Sequence, residues 1–213
     1  MNSPFTFIYS APEDLEKGKL YPAVFLMHGM GSNEHDLPGL LDEIKDQCFI
    51  FSLQGPIVQQ PGYAFFTIEE FGKPHRHVFD QVIVHIMSFI QEAITEYPID
   101  AEKIFLMGFS QGAILSKSLA FAMGKEKLAG IVALSGYIPE FVKTEYKKHS
   151  IEGLPVFISH GTYDMVLPYQ WGEASRDFFA EQGADVTFQS FEDGHGVTPD
   201  IQQGLITFLK EHF

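Results

Sequence analysis

Lys103-Ile104-Phe105-Leu106-Met107-Gly108-Phe109-Ser110-Gln111-Gly112-Ala113-Ile114-Leu115-Ser116-Lys117-Ser118-Leu119-Ala120 joins a β-like apolar run, a Gly-x-Ser-x-Gly pentapeptide and a helix-like stretch without interruption. A serine at the tip of a sharp strand-to-helix turn is held in an unfavourable backbone geometry, and residues two places away must be nearly free of side chain for the chains to pass. Gly108 and Gly112 meet that need. The turn lifts the hydroxyl clear of the backbone, and the next amide, that of Gln111, faces the place where a carbonyl oxygen would become negative. Ser110 therefore reads as a nucleophile. In a chain with 19 glycines the alternative is a plain glycine-rich turn, and the choice rests on whether partners exist elsewhere.

Outward from this stretch, short runs rich in Val, Ile and Phe alternate with longer segments of helical period, the pattern of a parallel sheet covered on both faces. Strands are expected at Phe5–Ser10, Ala23–His28, Phe49–Leu53, Ile104–Phe109, Gly130–Leu134, Val156–His160 and Val186–Phe191. The first is an edge candidate of undetermined direction, since only the later ones are separated by helix-length crossovers. Val78, Val82, Ile86, Phe89, Ile90, Ala93 and Ile94 recur at three- and four-residue intervals, predicting one long helix ending before Pro98. Thr198 and Pro199 open a last helix whose buried stripe is Ile201, Leu205, Phe208 and Leu209. Further helices are expected at 35–46, 111–123 and 170–182. The 21 phenylalanines read mostly as core.

With 213 residues, no Ser/Pro-rich spacer, no repeat and no like-charge run, the chain is expected to form one domain, 1–213, without a cap domain. The longest insertion-like stretch is the loop around 55–74. A formal net charge of −14 argues against nucleic-acid binding, which needs a positive stripe, and gives the amphipathic stretches no basic face for anionic lipid. No run reaches transmembrane length and the N-terminus lacks the features of a signal peptide, so a cytoplasmic chain without stable membrane insertion is expected. Cys48, the single cysteine, borders the strand-like Phe49-Ile50-Phe51 and reads as a small core residue.

Right-handed crossovers bring the carboxyl ends of parallel strands to one edge, so reactive groups should follow strands. After Val156–His160 come Gly161-Thr162-Tyr163-Asp164, and after Val186–Phe191 come Glu192-Asp193-Gly194-His195-Gly196. A serine hydroxyl needs an imidazole to take its proton and return it to the leaving group, and a carboxylate behind the imidazole fixes its tautomer. His195, between glycines, is the candidate base. His75, His77, His85, His149 and His212 lie on expected helices or polar loops, and His75-Arg76-His77 has no accompanying ligand cluster, so no metal site is expected. Asp193 competes with Asp164 for the acid but sits two positions from His195 on one tight loop, where it is less easily aimed at the far ring nitrogen. After the second strand, His28-Gly29-Met30-Gly31-Ser32-Asn33 lets a backbone amide approach the reacting carbonyl, which pairs the Met30 amide with that of Gln111 as an oxyanion hole. Phosphate cradling, the rival for such a loop, lacks the Lys of a Walker motif. His28 reads as a scaffold hydrogen-bonder.

His28 to Gly31, the Gly108 to Gly112 elbow, His160 to Asp164 with Val166-Leu167-Pro168-Tyr169 behind it, and Gly194-His195 resemble the phospholipase/carboxylesterase family that includes the acyl-protein thioesterases. The resemblance spans nearly the whole chain. It implies a compact α/β-hydrolase fold, with a mostly parallel sheet of about seven strands, and a serine hydrolase without cofactor that acts on carboxylic esters or thioesters. Carried over by motif, Ser110, Asp164 and His195 would be the triad, and the amides of Met30 and Gln111 the oxyanion hole. The chain departs from the family at Tyr63 and Phe65, where members often have Arg and Trp, and at Ser32-Asn33, where an Asp or Asn commonly follows the glycine pair.

The partner implied is a small-molecule acyl ester, with a homodimer left open. Tyr63, Phe65 and Phe66, in the apolar stretch Pro61–Phe66 with Pro56 and Ile57 before it, are the candidates for the acyl site, against a packed surface loop without catalytic consequence. Two other functions share these residues: a peptidase or other acyl hydrolase with the same triad, and a non-catalytic hydrolase-fold protein that only holds a ligand.

Overall fold

The computed structural model describes residues 4–213. Seven strands form the central sheet: β1 (Phe7–Ser10), β2 (Tyr21–Met27), β3 (Phe49–Leu53), β8 (Ile99–Phe109), β9 (Gly130–Leu134), β10 (Pro155–Gly161) and β11 (Asp185–Phe191), in the order β1-β3-β2-β8-β9-β10-β11. All neighbours are parallel except β1, which runs antiparallel to β3 at one edge. The seven expected strands are thus the seven of the sheet. Four short strands between β3 and β8, β4 (Ile57–Gln59), β5 (Gly62–Ala64), β6 (Ile68–Glu70) and β7 (Lys73–Pro74), make two small hairpins where the sequence reads only as an insertion-like loop.

Side chains of the inner strands alternate between two cores, as a sheet covered on both sides requires. Ala23, Phe25 and Met27 of β2 face one core with Ile104, Leu106, Ile131, Ala133, Val156 and Ile158, while Val24, Leu26, Phe105, Met107, Val132, Leu134 and Phe157 face the other. The first core is closed by α1 (Arg76–Glu96), α2 (Gln111–Met123), α3 (Glu140–Thr144) and α4 (Tyr169–Glu181), and the second by α5 (Pro199–His212). Fully burying each large apolar side chain contributes about 1.5–3 kcal/mol, and Phe25, Phe51 and Phe89 are packed ring against ring in the first core. Helix α1 buries Phe79, Val82, Ile86, Phe89, Ile90 and Ala93 along one stripe, and Thr198 Oγ1 caps α5 by accepting from the Ile201 amide at 3.4 Å.

One expected helix is absent: 35–46 forms a short 3-10 turn at Pro38–Leu41 followed by further turns. Pro38 withholds an amide and Gly39 favours no helix, and the segment uses i to i+3 bonds from Leu40, Ile44 and Gln47 instead. Its apolar spacing was real all the same, since Leu37, Leu41 and Ile44 are buried in the second core beside Cys48. Burial pushes the Cys48 thiol up to about 12, which leaves it inert at neutral pH.

Candidate active site

Strand β8 ends at Phe109 and α2 begins at Gln111, so Ser110 makes the whole turn with φ 51° and ψ −110°. Non-glycine residues held in such regions cost of order 1–3 kcal/mol, and the surroundings fix this one. The Ser110 amide donates to Leu134 O at 2.8 Å, and Ser110 O accepts the first helical bond from Ile114 N at 3.1 Å. Both flanking glycines are obligatory by contact: a Cβ at Gly108 would overlap the Gly112 carbonyl, and one at Gly112 would overlap the Met27 carbonyl of the adjacent strand.

Two loops at the same sheet edge supply an acid and an imidazole. Thr162 N donates to Phe191 O and Tyr163 N to Asp193 O, and the loops touch so closely that a Cβ at Gly161 would overlap the carbonyls of Asp193 and Gly194. His195 Nδ1 lies 2.6 Å from Asp164 Oδ2, while Asp164 Oδ1 accepts the amides of Val166 and Leu167, each at 2.8 Å. Burial pushes the Asp164 carboxyl up, but the hydrogen bonds from His195, Leu167 and Val166 outweigh it and hold it below the usual carboxylate range. Asp164 is therefore ionised and His195 carries its proton on Nδ1, leaving Nε2 as the basic atom. Asp193 is exposed and accepts its neighbour's amide, Gly194 N, so its carboxylate is turned to its own loop. The Phe109 ring packs on the imidazole at 4.9 Å between centroids.

A second imidazole lies behind the acid. His160, at the end of β10 and fully buried, places Nε2 3.0 Å from Leu167 O and 3.2 Å from Asp164 Oδ2. Both partners accept, so Nε2 bears the proton, and burial lowers the ring's pKa and keeps it neutral. Nothing in the sequence distinguishes this histidine from a core residue except its place at a strand end before a glycine.

The loop after β2 is tied down from three sides. The neutral His28 ring donates from Nδ1 to Gly29 O at 2.7 Å and accepts the Gly55 amide on Nε2 at 2.9 Å, with burial lowering its pKa. Gly31 N donates to Tyr63 O and Tyr63 N to Ser32 O, locking β5 to this loop. The Gln111 side chain completes the clasp, accepting the Phe65 amide at 2.6 Å and donating to Phe66 O at 2.8 Å. Among the described residues neither the Met30 amide nor the Gln111 amide donates to another protein group.

Met30, Ser110 and Gln111 line one cavity of about 260 Å³, whose apolar walls include Phe66, Ile114 and Leu167. Of the three candidate acyl-site residues only Phe66 borders it. Phe65 is fully buried against Phe5 and His28, and Tyr63 acts through its backbone. Ile68, Phe71, Tyr137 and Val166 complete the wall and come from three loops that sequence spacing does not relate. A second cavity of about 310 Å³ is bordered by His195 and Phe109. A further cavity, of about 600 Å³, runs between the β6–β7 hairpin and α3 among Glu69, Lys73, Arg76 and Glu145 and touches neither Ser110 nor His195. Among the described residues no group of three or more His, Cys, Asp or Glu side chains could hold a metal ion, and no helix is long and apolar enough to cross a membrane.

Chains with this sheet order and a serine on the strand-to-helix elbow form the α/β-hydrolase class, and this is one of them. A carboxylesterase of Bacillus cereus superposes with a TM-score of 0.87 at 24% identity, covering 100% of this chain and 96% of that one. The model of the phospholipase/carboxylesterase family matches residues 15–213, and the chain belongs to that family. Acyl-protein thioesterase 1 homolog 1 of Dictyostelium discoideum is 36% identical over 205 residues, covering 88% of this chain and 89% of the relative. Acyl-protein thioesterase 1 of Candida albicans is 29% identical over 210 residues, with 88% and 90% covered.

Proposed function

We propose that the chain is a serine hydrolase that cleaves small-molecule carboxylic esters, and thioesters by the same steps, in the cytoplasm. The observation that carries this reading is the 2.6 Å bond between His195 and Asp164, itself held by two loop amides, on loops that share the sheet edge with the strained Ser110. His195 Nε2 takes the Ser110 proton as Oγ attacks the acyl carbon, and the amides of Met30 and Gln111 receive the oxyanion. The alcohol leaves with the proton from His195, and water then repeats the cycle on the acyl-enzyme. Each oxyanion donor is worth about 3 kcal/mol in the transition state.

Membership of the phospholipase/carboxylesterase family supports ester chemistry over peptide hydrolysis, and relatives named as acyl-protein thioesterases support thioesters as well. The cavity of about 260 Å³ falls just under the roughly 300–1,000 Å³ of drug-sized ligand pockets, so the acyl chain it takes is short to medium. Ser110→Ala should lower ester turnover by roughly six orders of magnitude if the triad acts as a unit. The test is a panel of p-nitrophenyl esters of rising acyl length, with thioesters and amides alongside. Ester activity retained in clean Ser110→Ala protein would remove Ser110 from the reaction, and activity confined to amides would overturn the esterase reading.

A further inference from the structure

We infer that the cavity on the His195 side is the leaving-group subsite and that it takes the alcohol of an amino-alcohol ester, a compact apolar group ending in a quaternary or protonated ammonium. The inference rests on the triad reading above. In the acylation step the bond from Ser110 Oγ to the acyl carbon forms and the bond from that carbon to the alkyl oxygen breaks. The departing oxygen keeps the electron pair and takes the proton that His195 Nε2 received from Ser110, so it must sit within hydrogen-bond reach of the imidazole. The rest of the alcohol then extends into whichever cavity the imidazole borders. Only one of the two cavities beside the pair does so: the first is lined by Ser110 and Gln111, the second by His195 and Phe109.

The walls of that second cavity specify the ligand's chemistry. Leu37, Leu40 and Val197 supply apolar contact, Phe109 supplies an aromatic ring, and Asp36 supplies a carboxylate. Ser32 Oγ donates to Asp36 Oδ2 at 2.8 Å, which fixes the carboxylate and leaves Oδ1 for a ligand. An aromatic ring and a carboxylate around an apolar space are the surroundings an ammonium group prefers, the ring by its quadrupole and the carboxylate by charge. An anionic leaving group meets Asp36 directly, and the net charge of −14 repels it at longer range while drawing cations in.

The experiment compares acetylcholine with its carbon isostere, in which the quaternary nitrogen is replaced by carbon, on wild type, Asp36→Asn and Asp36→Glu, each also assayed on the p-nitrophenyl ester series. In wild type kcat/KM should favour the ammonium ester about five- to thirtyfold, as an exposed charge pair and a cation–ring contact together allow. Asp36→Asn should cut that ratio at least threefold, Asp36→Glu should restore part of it, and 0.5 M salt, an ionic strength of about 0.5 M, should narrow it. Asp36 is exposed, so its substitution should cost the fold little, and retained turnover of the p-nitrophenyl esters checks that. A wild-type ratio near one, a ratio that Asp36→Asn leaves as it was, or a change in acyl-length preference instead would overturn the subsite. If no ester of any kind acylates Ser110, the triad reading itself fails and the subsite falls with it, a result distinct from hydrolysis without discrimination.

Discussion

Asp164 accepts three hydrogen bonds, from two loop amides and from His195, and the second imidazole, of His160, lies 3.2 Å from its Oδ2. In the proposed mechanism this acid stabilises an imidazolium only in the transition state and gains from being immobile, because no reorganisation then accompanies the reaction. On the triad proposed above, His160 would be a positioning residue, acting through Asp164 and through Leu167 O, with Lys117, His195 and Tyr169 around it. Removing the ring leaves the buried Leu167 carbonyl without its donor, at a cost of about 1–3 kcal/mol, and frees the loop whose amides hold Asp164, so His160→Ala should lower kcat about 5- to 100-fold with KM little changed. His160→Gln, which offers an amide donor, should recover part of the loss. If both variants merely reduce the yield of folded protein at full specific activity, His160 is a core residue and no more. Ser110, Asp164 and His195 could be picked from the sequence because each follows a strand of a parallel sheet. His160 and the Gln111 side chain could not, since their partners lie seven and about 45 residues away and are chosen by packing.

At the scale of elements, the elbow is a crossing of β2, β8 and α2 that has room for backbone alone. Met27 pairs with Gly108 across the sheet, and the start of α2 descends onto the Met27 carbonyl. Gly112→Ala must move either α2 or β2, and neither is free: α2 is buried on nearly every side and β2 is central. The expected cost is about 3 kcal/mol or more, above most overpacking substitutions, measured as a fall in the urea midpoint at constant slope. A midpoint shift equivalent to under about 0.5 kcal/mol, the range of ordinary surface changes, would show that the crossing has slack. The strands of the sheet were legible because both faces are buried and Val, Ile and Phe fill them. The 35–46 segment reads as helix because its apolar spacing is shared by a chain of tight turns, and the two hairpins after β3 are illegible because strands of two or three residues carry no period.

At the scale of the whole molecule, Lys117 of α2 sets a pH dependence of stability: it is wholly buried, with its ammonium donating to Gly136 O at 2.7 Å and Ser175 Oγ at 3.2 Å. Its partners are a carbonyl and a hydroxyl rather than a carboxylate, and burial lowers its pKa to about 7. An unfolded lysine holds its proton to about pH 10.4. Between about pH 7 and 10 the unfolded chain therefore binds the extra proton, and stability from this group rises with pH through that window. Below pH 7 both states are protonated and the full penalty of the buried cation stands. Acid adds to the loss, because His28 and His160, kept neutral by burial, must be charged and Asp164, held below the usual range, must be protonated. Lys117→Met fills the same volume without the charge but leaves two acceptors unpaired, at a pH-independent cost of about 1–3 kcal/mol each. Urea unfolding of both proteins at pH 6, 7, 8, 9 and 10 should find the variant relatively most stable at pH 6 and losing ground by a few kcal/mol toward pH 10, while the repulsion of a strongly acidic chain nearly cancels in the comparison. A constant difference across that range would mean that Lys117 keeps its proton in the folded state.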